Sequence, residues 1–214
     1  MLYLISQSPQ RRDILNELEL EFCISPADCE EITAETPEET VRQNACLKAI
    51  AACGSKDIPA GSLILAADTV VESNGIILGK PADAGQAAEY LRQLSGRKIT
   101  VWSAVSIIRI GENHGLAAVE SAGAEIKNLS IEEINWYVKT GEPLSRAGAF
   151  GISRRGEIFV KELYGSYSCF AGLPKRTLCM LLAAYKEKGF EYLPFTQTEK
   201  SNICHFTLPA GAQK

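Results

Sequence analysis

The sequence predicts an α/β protein with a mixed, twisted sheet and flanking helices. Strand and helix patterns alternate in the first half of the chain, and two long strand patterns occupy its middle. The 214-residue sequence shows neither an internal repeat nor a flexible linker. This length suits one sizeable domain or two small lobes around a shared core.

The chain opens with a short apolar strand, a loop with two serines and the start of a helix. Ser8 can cap this helix, and Pro9 suits its first turn, where no backbone N–H is needed. The N-terminal N–H groups, together with Arg11 and Arg12, favour an anion, and phosphate suits them best. An ordinary capped helix with solvated arginines explains the same segment equally well.

The next elements follow from caps, apolar runs and turn residues. A capping box beginning at Thr36 opens a helix that runs to about Gly54. Residues 63–67 form a buried strand pattern that ends at Asp68, and residues 69–78 resemble a hairpin turned at an Asn-Gly pair.

The second half continues with two capped helices and two long strands. The expected helices are one capped by Asp83, one from Ser130 to Gly141 and one over 174–188. The expected strands lie over 98–110, 116–126 and 158–160. The tail over 196–214 is expected to be polar, irregular and loosely ordered.

Composition excludes several classes of protein. The net charge of −4 argues against general binding to nucleic acid or a membrane surface. No apolar run is long enough for a membrane span or a signal peptide, which favours the cytoplasm. The seven cysteines lack a C-x-x-C pair and there are only two histidines, so we expect reduced, mostly buried thiols and no zinc site.

Two residues around the predicted hairpin are candidates for catalysis. Asp68 follows an apolar strand, and the carboxyl ends of strands are where α/β folds place ligands. The returning hairpin is expected to bring Lys80 to the level of Asp68. Each residue alone could be a solvated loop residue, but their pairing across the hairpin favours a function.

A second lysine and an acidic segment add to this set. Lys48 shares a helix face with Val41, Asn44, Ala45 and Ala52, so it either snorkels to the rim or reaches into a cleft. Glu31 lies in an acidic loop that is either solvated or able to hold a hard cation. Cations and acids together suit a magnesium-bound polyphosphate, and the absence of a Walker motif disfavours P-loop enzymes and kinases.

A series of short motifs then runs in one order from residue 2 to about residue 187. They are Ser-Gln-Ser-Pro-Gln-Arg at 6–11, Glu31, Lys-Ala at 48–49, Ala-Ala-Asp-Thr-Val-Val at 66–71, Leu-Gly-Lys-Pro at 78–81, Leu-Ser-Gly-Arg at 94–97, Gly-Glu-Pro at 141–143, Ala-Gly-Ala-Phe-Gly-Ile at 147–152 and Gly-Leu-Pro at 172–174. In this order they resemble the Maf (septum-formation-inhibitor-like) family of nucleoside triphosphate pyrophosphatases.

The resemblance implies an inosine-triphosphate-pyrophosphatase-like fold with two lobes around a central cleft. Residues 1–195 would form this single two-lobed domain, and 196–214 its tail. The implied reaction is hydrolysis of a nucleoside triphosphate between the α and β phosphates, with Mg²⁺ or Mn²⁺, for removal of non-standard or excess nucleotides. The expected partner is the nucleoside triphosphate, and neither polymeric nucleic acid nor a membrane is expected to bind. Because the family is often dimeric, a homodimer is also expected.

The resemblance also assigns roles to residues. Asp68 matches the general base, and Glu31 matches an acid that holds the metal or orients water, so the metal ligands are expected to be Glu31 and Asp68. The residues expected to be catalytic are Asp68, Lys80, Lys48 and Glu31, with phosphate-binding roles matched by Ser6, Arg11, Lys48 and Lys80. The residues expected to bind substrate are Ser6, Ser8, Gln10, Arg11, Thr69 and Ser153.

Two departures concern recognition of the base. The resemblance associates positions 10 and 153 with base selection, and they carry Gln10 and Ser153 where members that favour thymidine and uridine triphosphates carry Arg and Gln. Thr69 fits that pyrimidine type, which is favoured slightly over the 7-methylguanosine triphosphate type, and the preferred base stays open. Two other functions are considered: a non-catalytic nucleotide-binding regulator of cell division, and a phosphosugar or nucleotidyl-transfer enzyme.

Overall fold

The computed structural model describes residues 1–187, 189–190, 193, 195–209 and 211–212. Helices and strands alternate through the first half, and the two longest neighbouring strands lie in the middle. The strands are β1 (Leu2–Leu4), β2 (Phe22–Ile24), β3 (Leu63–Ser73), β4 (Ile76–Leu78), β5 (Lys98–Arg109), β6 (His114–Ile126), β7 (Val160–Tyr164) and β8 (Cys204–Thr207). The helices are α1 (Pro9–Glu17), α2 (Pro37–Cys53), α3 (Ala84–Leu94), α4 (Ile131–Lys139), α5 (Tyr167–Phe170), α6 (Lys175–Ala184) and α7 (Gln197–Ser201), with 3-10 segments at Glu142–Ser145, Ala147–Ala149 and Arg154–Phe159.

The strands form one mixed sheet in the order β2-β1-β3-β5-β6-β7, with β4 paired to β3 and β8 paired to β6. Strand β1 runs parallel to both neighbours, with Leu2 opposite Phe22 on one side and Leu63 on the other. Strands β4, β7 and β8 are antiparallel to their partners. The predicted α/β class with a mixed sheet and helices is therefore confirmed.

The chain divides into two compact units. The first unit comprises Met1–Asp68, Ser103–Glu120 and Gly172–Lys214, and the second comprises Thr69–Trp102 and Ser121–Ala171. The two lobes around a central cleft, the inosine-triphosphate-pyrophosphatase-like arrangement and the single domain over residues 1–195 stay predictions.

In the first unit, helix α2 packs its apolar face into the core. Thr36 caps α2, because its side chain accepts from the N–H of Glu39, and Pro37 begins the helix. The helical spacing places a row of small residues on one side of α2. The fully buried members of this row are Val41, Ala45 and Ala49, and Ala49 packs in one cluster with Ile5, Ile64, Ala66 and Ile108.

In the second unit, the predicted hairpin and its turn are confirmed. Val71 lies opposite Leu78, and the turn residues Asn74 and Gly75 have positive φ angles of 52° and 77°. Gly148, with a φ of 62°, passes so close to Val71 that a Cβ at position 148 would lie 2.8 Å from the Val71 Cβ. The Gly148 N–H donates to the Gly79 carbonyl at 2.8 Å, which fixes the turn before Lys80.

The helix starts predicted at Asp83 and Ser130 are also confirmed. The Asp83 side chain accepts from the N–H of Gln86, and Ser130 forms a capping box with Glu133. These caps direct α3 and α4 onto one core of the second unit. Its largest fully buried side chains are Leu91, Leu94, Ile126, Tyr137 and Phe159.

Two predicted element boundaries are wrong. Strand β3 does not end at Asp68 but continues to Ser73, because the same extended chain forms the first arm of the hairpin. The strand expected over 158–160 is β7 at Val160–Tyr164. Residues before it form a 3-10 segment in which Gly156 approaches the Gly151 carbonyl so closely that a Cβ would lie 2.1 Å from it.

The predicted C-terminal region also needs correction. Helix α6 ends at Ala184, and Lys186 has a left-handed φ of 55°. The tail is not irregular throughout, because Thr196 starts helix α7 with a capping box and β8 pairs with β6. Four residues covered by these expectations lie outside the described residues: Lys188, Ala210, Gln213 and Lys214.

The seven cysteines are free thiols, but fewer are buried than expected. Cys53 and Cys169 are buried, Cys23 is exposed, and the other four are half-buried, because they lie at helix, loop and tail surfaces of the described chain. No helix in the described part of the chain is both long and apolar enough to cross a membrane.

Candidate active site

Asp68 lies inside strand β3, where a carboxylate is unusual. The residue is 5% exposed, and the strand around it includes the buried residues Ala66, Ala67, Val70 and Val71. Lys48 projects from helix α2, and its Nζ lies 2.5 Å from Asp68 Oδ1. A buried carboxylate is costly without a partner, and the Lys48 ammonium is the partner of Asp68 at this position.

The same ammonium also contacts Glu31. Lys48 Nζ lies 2.7 Å from Glu31 Oε1, and the Lys48 side chain is 14% exposed. Glu31 comes from the segment between β2 and α2, and its side chain is 56% exposed. One cation therefore joins a buried carboxylate to a solvent-facing one. Of the two alternatives for Lys48, the structure shows the side chain reaching inward to Asp68 rather than extending into solvent.

Asn44 is a part of this cluster that the sequence did not single out as functional. It lies one helical turn before Lys48 and is 2% exposed. Its Nδ2 donates to Asp68 Oδ2 at 3.3 Å and to the Ile32 carbonyl at 3.0 Å, while its Oδ1 accepts from the Ile32 N–H at 2.9 Å. The available signal was a polar residue on the apolar face of α2, four residues before a lysine on the same face.

The loop before α1 forms a local network of hydrogen bonds. Ser8 caps α1, and its Oγ donates to Gln10 Oε1 at 3.0 Å. Ser6 Oγ accepts from the Ser8 N–H at 3.2 Å and from Arg11 at 3.1 Å. Four of the residues predicted to bind substrate are therefore brought together in one short segment: Ser6, Ser8, Gln10 and Arg11.

Arg11 connects this segment to another part of the first unit. Its Nε donates to the Gly172 carbonyl at 2.8 Å. Burial lowers the pKa of the Arg11 guanidinium, and the negative charges of Asp68 and Glu31 act in the opposite direction. The guanidinium thus lies within the electrostatic field of the two candidate acids. Arg11, Asp68 and Glu31 therefore belong to one charged region of the first unit.

The remaining predicted residues belong to the second unit. Thr69 follows Asp68 in strand β3 and is half-buried, and Lys80 is exposed after the Gly79 turn. Ser153 Oγ accepts from Arg146 at 3.3 Å, and Arg146 is itself 8% exposed. The approach of Lys80 to the level of Asp68 and the contribution of Ser153 to one common site stay predictions.

A buried polar network surrounds Arg146 within the second unit. Arg146 lies 3.8 Å from Glu142 Oε1, which also accepts from the Tyr137 hydroxyl at 3.2 Å. Burial raises the pKa of the Tyr137 hydroxyl, and the nearby Glu142 carboxylate adds to this effect. A Cβ at Gly151 would lie 3.0 Å from Arg146, so glycine makes room for the guanidinium that holds Ser153.

The carboxylates of the first unit suit a hard divalent cation. Mg²⁺ is commonly held by one or two carboxylates while water and substrate phosphates complete its coordination. Glu31 and Asp68 provide two carboxylates joined through Lys48. Across the described residues no group of three His, Cys, Asp or Glu side chains could hold a metal ion by itself. The donor set therefore fits a cation that takes its other ligands from a phosphate substrate.

A protein-family model described as Maf-like protein matches residues 1–185 of this sequence. The chain belongs to the Maf-like family. The family relationship proposed from the ordered motifs is therefore confirmed, and the match includes Ser6, Glu31, Lys48 and Asp68.

Curated Maf-like relatives match over nearly their full length. The dTTP/UTP pyrophosphatase of Anaeromyxobacter dehalogenans (strain 2CP-1) is 43% identical over 185 residues, covering 85% of this chain and 92% of that protein. The dTTP/UTP pyrophosphatase of Pelotomaculum thermopropionicum is 39% identical, covering 90% and 98%. The nucleoside triphosphate pyrophosphatase of Xylella fastidiosa (strain M23) is 40% identical, covering 87% and 100%. Among solved structures, the Staphylococcus aureus Ham1 protein matches this chain with a TM-score of 0.49 and 14% identity. The match covers 87% of this chain and 97% of that chain.

Proposed function

We propose that this Maf-like protein hydrolyses nucleoside triphosphates between the α and β phosphates, releasing a nucleoside monophosphate and pyrophosphate. The observation that carries the proposal is the Lys48 ammonium, which bridges buried Asp68 and exposed Glu31. Relatives about 40% identical, which are named as dTTP/UTP or nucleoside triphosphate pyrophosphatases, support the same reaction. The enzyme is then a hydrolase that acts on acid anhydrides.

The general base in this proposal is Asp68. Its carboxylate accepts a proton from water while the water oxygen bonds to phosphorus at the α–β anhydride. The bond between that phosphorus and the bridging oxygen breaks, and its electron pair stays on this oxygen, which leaves as part of pyrophosphate. Lys48 holds Oδ1 of Asp68, so the carboxylate is oriented before the substrate arrives.

The cations of the proposed site bind the phosphates. Arg11 and the hydroxyl of Ser6 come from one segment, and the N-terminus of α1 adds its partial positive charge. Lys80 supplies a further cation in the proposal. These groups stabilise the negative charge that develops on the leaving pyrophosphate, which is the main demand of phosphoryl transfer.

A divalent cation is part of the proposed reaction. Glu31 and Asp68 are the residues that would hold Mg²⁺ or Mn²⁺. When bound, such an ion neutralises phosphate charge and polarises the phosphoryl oxygens. Within the protein, Lys48 neutralises the two carboxylates when no other cation is near them.

For the base, we propose a preference for dTTP and UTP over 7-methylguanosine triphosphate. The names of the relatives from Anaeromyxobacter and Pelotomaculum support the pyrimidine type, as does Thr69. Gln10 and Ser153 are the residues where recognition of the base would differ from that of other members. The role in the cell would be removal of non-standard or excess nucleotides.

The remaining proposals concern assembly and location. Residues 1–195 would form the pyrophosphatase domain, in the cytoplasm, without a polymeric nucleic acid or membrane partner, as the net charge of −4 suggests. A homodimer is also proposed, because the family that the chain resembles is often dimeric. Trp136, which is 45% exposed in the second unit, is one candidate for the interface. Sedimentation of the wild type and of Trp136→Ser tests this part.

The reaction is tested with purified protein, Mg²⁺ or Mn²⁺, and a panel of dTTP, UTP, CTP, ATP, GTP and 7-methylguanosine triphosphate. We expect pyrophosphate and the nucleoside monophosphate in equal amounts, fastest from dTTP and UTP. A regulator without activity would bind nucleotide and give no product, and a nucleotidyl-transfer enzyme would need a sugar or alcohol acceptor. Absence of pyrophosphate release from every nucleotide would refute the proposed reaction.

A further inference from the structure

Asn44 makes more contacts with the candidate site than its position in the sequence suggests. It is 2% exposed on the inward face of α2, and its amide has three hydrogen-bond partners. Two of them are the N–H and the carbonyl of Ile32, which follows Glu31 directly. The third is Asp68 Oδ2. One side chain thus contacts both the strand that carries the base and the segment that carries the second acid.

The direction of this amide is fixed by its partners. The Ile32 N–H is a donor, so the Asn44 oxygen must face it, and the NH₂ group therefore faces the Ile32 carbonyl and Asp68. Each NH₂ hydrogen has one acceptor, at 3.0 Å and 3.3 Å. A buried amide with all three polar contacts made is held in a single orientation.

The consequence for Asp68 is that its two oxygens have separate partners. Oδ1 accepts from Lys48 and Oδ2 accepts from Asn44. Two donors at the two ends of a carboxylate fix its rotation about the Cβ–Cγ bond. Asn44 and Lys48 lie four residues apart on one helix, so a single rigid element supplies both donors.

We infer that Asn44 is a positioning residue that holds Asp68 and the Glu31 segment in register for the reaction. This inference rests on the proposed function. Asn44 acts through Asp68 and through the Ile32 backbone, and its amide is already committed to them within the described structure. Loss of the amide should therefore affect turnover and cation binding more than nucleotide binding, since the phosphates are bound by Arg11 and Ser6 in the proposed site.

The first test uses Asn44→Leu, which keeps the approximate shape of the side chain and removes all three hydrogen bonds. Its matched control is Gln43→Leu, the same type of change at the neighbouring, half-buried position of α2. We expect kcat for dTTP to fall about 10- to 100-fold in Asn44→Leu, with KM changed less than about threefold. Gln43→Leu should keep the wild-type kcat and KM.

A second variant separates the contacts of Asn44. Asn44→Asp keeps an oxygen for the Ile32 N–H but has no N–H to donate to Asp68 or to the Ile32 carbonyl. If Asn44 served only to hold the Ile32 N–H, this variant would be nearly as active as the wild type. We expect instead a loss of kcat at least as large as in Asn44→Leu. If Asn44→Leu does not fold, Asn44→Asp carries the test, with urea unfolding to show that the protein is folded.

A measurement that does not depend on turnover tests the role of Asn44 separately from the proposed reaction. The dissociation constant of Mn²⁺ alone is measured by electron paramagnetic resonance for the wild type and for the Asn44 and Gln43 variants. We expect about tenfold weaker binding for Asn44→Leu only, because Asn44→Asp adds a carboxylate beside Asp68 that can itself bind the ion. Pyrophosphate release by the wild type tests the reaction, and these comparisons test Asn44. Wild-type kcat and Mn²⁺ affinity in folded Asn44→Leu, or wild-type kcat in folded Asn44→Asp, overturn the inference even when the proposed reaction holds, and a wild type with neither activity nor Mn²⁺ binding overturns both.

Discussion

The Nζ atom of Lys48 lies 2.5 Å from Oδ1 of Asp68, whose carboxylate is almost wholly buried inside β3. A strand interior is an unfavourable place for a charge, and the pairing explains how the chain keeps one there. The same contact orients the carboxylate toward a single direction. The stability of this site therefore depends on the same pair of residues to which the proposed reaction assigns its base.

The first prediction is that Asp68→Asn removes activity while the fold is kept. The amide has the shape of the carboxylate but cannot take a proton from water, so kcat should fall about 10²- to 10⁴-fold with little change in KM. Steady-state pyrophosphate release measures it. The control is Asp83→Asn, since asparagine also caps a helix such as α3. Equal activity of Asp68→Asn and the wild type would exclude Asp68 as the base.

The second prediction concerns the stability of the ion cluster. Lys48→Met leaves the Asp68 and Glu31 carboxylates without their shared cation, so the free energy of unfolding should fall by about 2 kcal/mol, less than for a fully buried pair because Glu31 is largely solvated. Urea unfolding at neutral pH measures it. In the double variant Asp68→Asn/Lys48→Met, the loss should be smaller than the sum of the single losses. Additive losses would show that the pair does not interact.

The third prediction distinguishes the effect of the Arg11 hydrogen bonds to Gly172 and Ser6 from the effect of its positive charge. Arg11→Lys keeps a cation but cannot donate both to the Gly172 carbonyl and to Ser6 from one planar group. We expect about 1–3 kcal/mol lower stability and a higher KM for the nucleotide. Arg92→Lys on the exposed face of α3 is the matched control and should be neutral. Wild-type KM and stability in Arg11→Lys would contradict a specific role for the guanidinium.

Local signals explain why much of this structure could be predicted from the sequence. The caps at Ser8, Thr36, Asp83 and Ser130 depend on residues only a few positions apart, and the hairpin turn depends on Asn74 and Gly75. Local signals do not predict where the strand that contains Asp68 ends. Whether β3 ends there or continues depends on pairing with β4, a contact that no residue near Asp68 encodes.

Prediction of the candidate site from local sequence signals is limited in the same way. Asp68 and Lys48 could be proposed because a charged residue is unusual in an apolar strand or on an apolar helix face, and Glu31 could be proposed from the family motif. Asn44 could not, since its role depends on two partners, Ile32 and Asp68, that are 12 and 24 residues away. The local signal, a polar residue on the apolar face of α2, indicates that Asn44 is buried but identifies neither of its partners.

The fourth prediction is a loss of stability at alkaline pH caused by half-buried and buried thiols. Burial raises the pKa of Cys46 and of Cys53 from 9.0 to about 11. Between these values the unfolded chain loses the thiol protons while the folded chain keeps them, so the unfolded state binds fewer protons and stability falls as pH rises from 9 to 11. Urea unfolding at pH 8, 9 and 10 should show this fall.

The matched variants for this pH dependence are alanine replacements. Cys46→Ala/Cys53→Ala should have a shallower decrease of stability above pH 9, because it lacks the two titrating thiols. Cys23→Ala, at an exposed position, should keep the wild-type decrease. An identical decrease in all three proteins would mean that other groups control alkaline unfolding.

The fifth prediction concerns the tail, which the structure makes part of the first unit. Strand β8 pairs with β6, and the Phe206 ring covers Gly115 so closely that a Cβ there would lie 2.3 Å from it. Phe206→Ala should therefore lower the free energy of unfolding by about 1–3 kcal/mol, and Gly115→Val should do so by displacing the same ring. Ile76→Ala, at a position 53% exposed in the hairpin, is the matched control and should be nearly neutral. Urea unfolding of the four proteins measures these differences. If Phe206→Ala and Gly115→Val unfold with the wild-type midpoint, the tail contributes nothing to the stability of the fold, and its pairing with β6 has no energetic consequence.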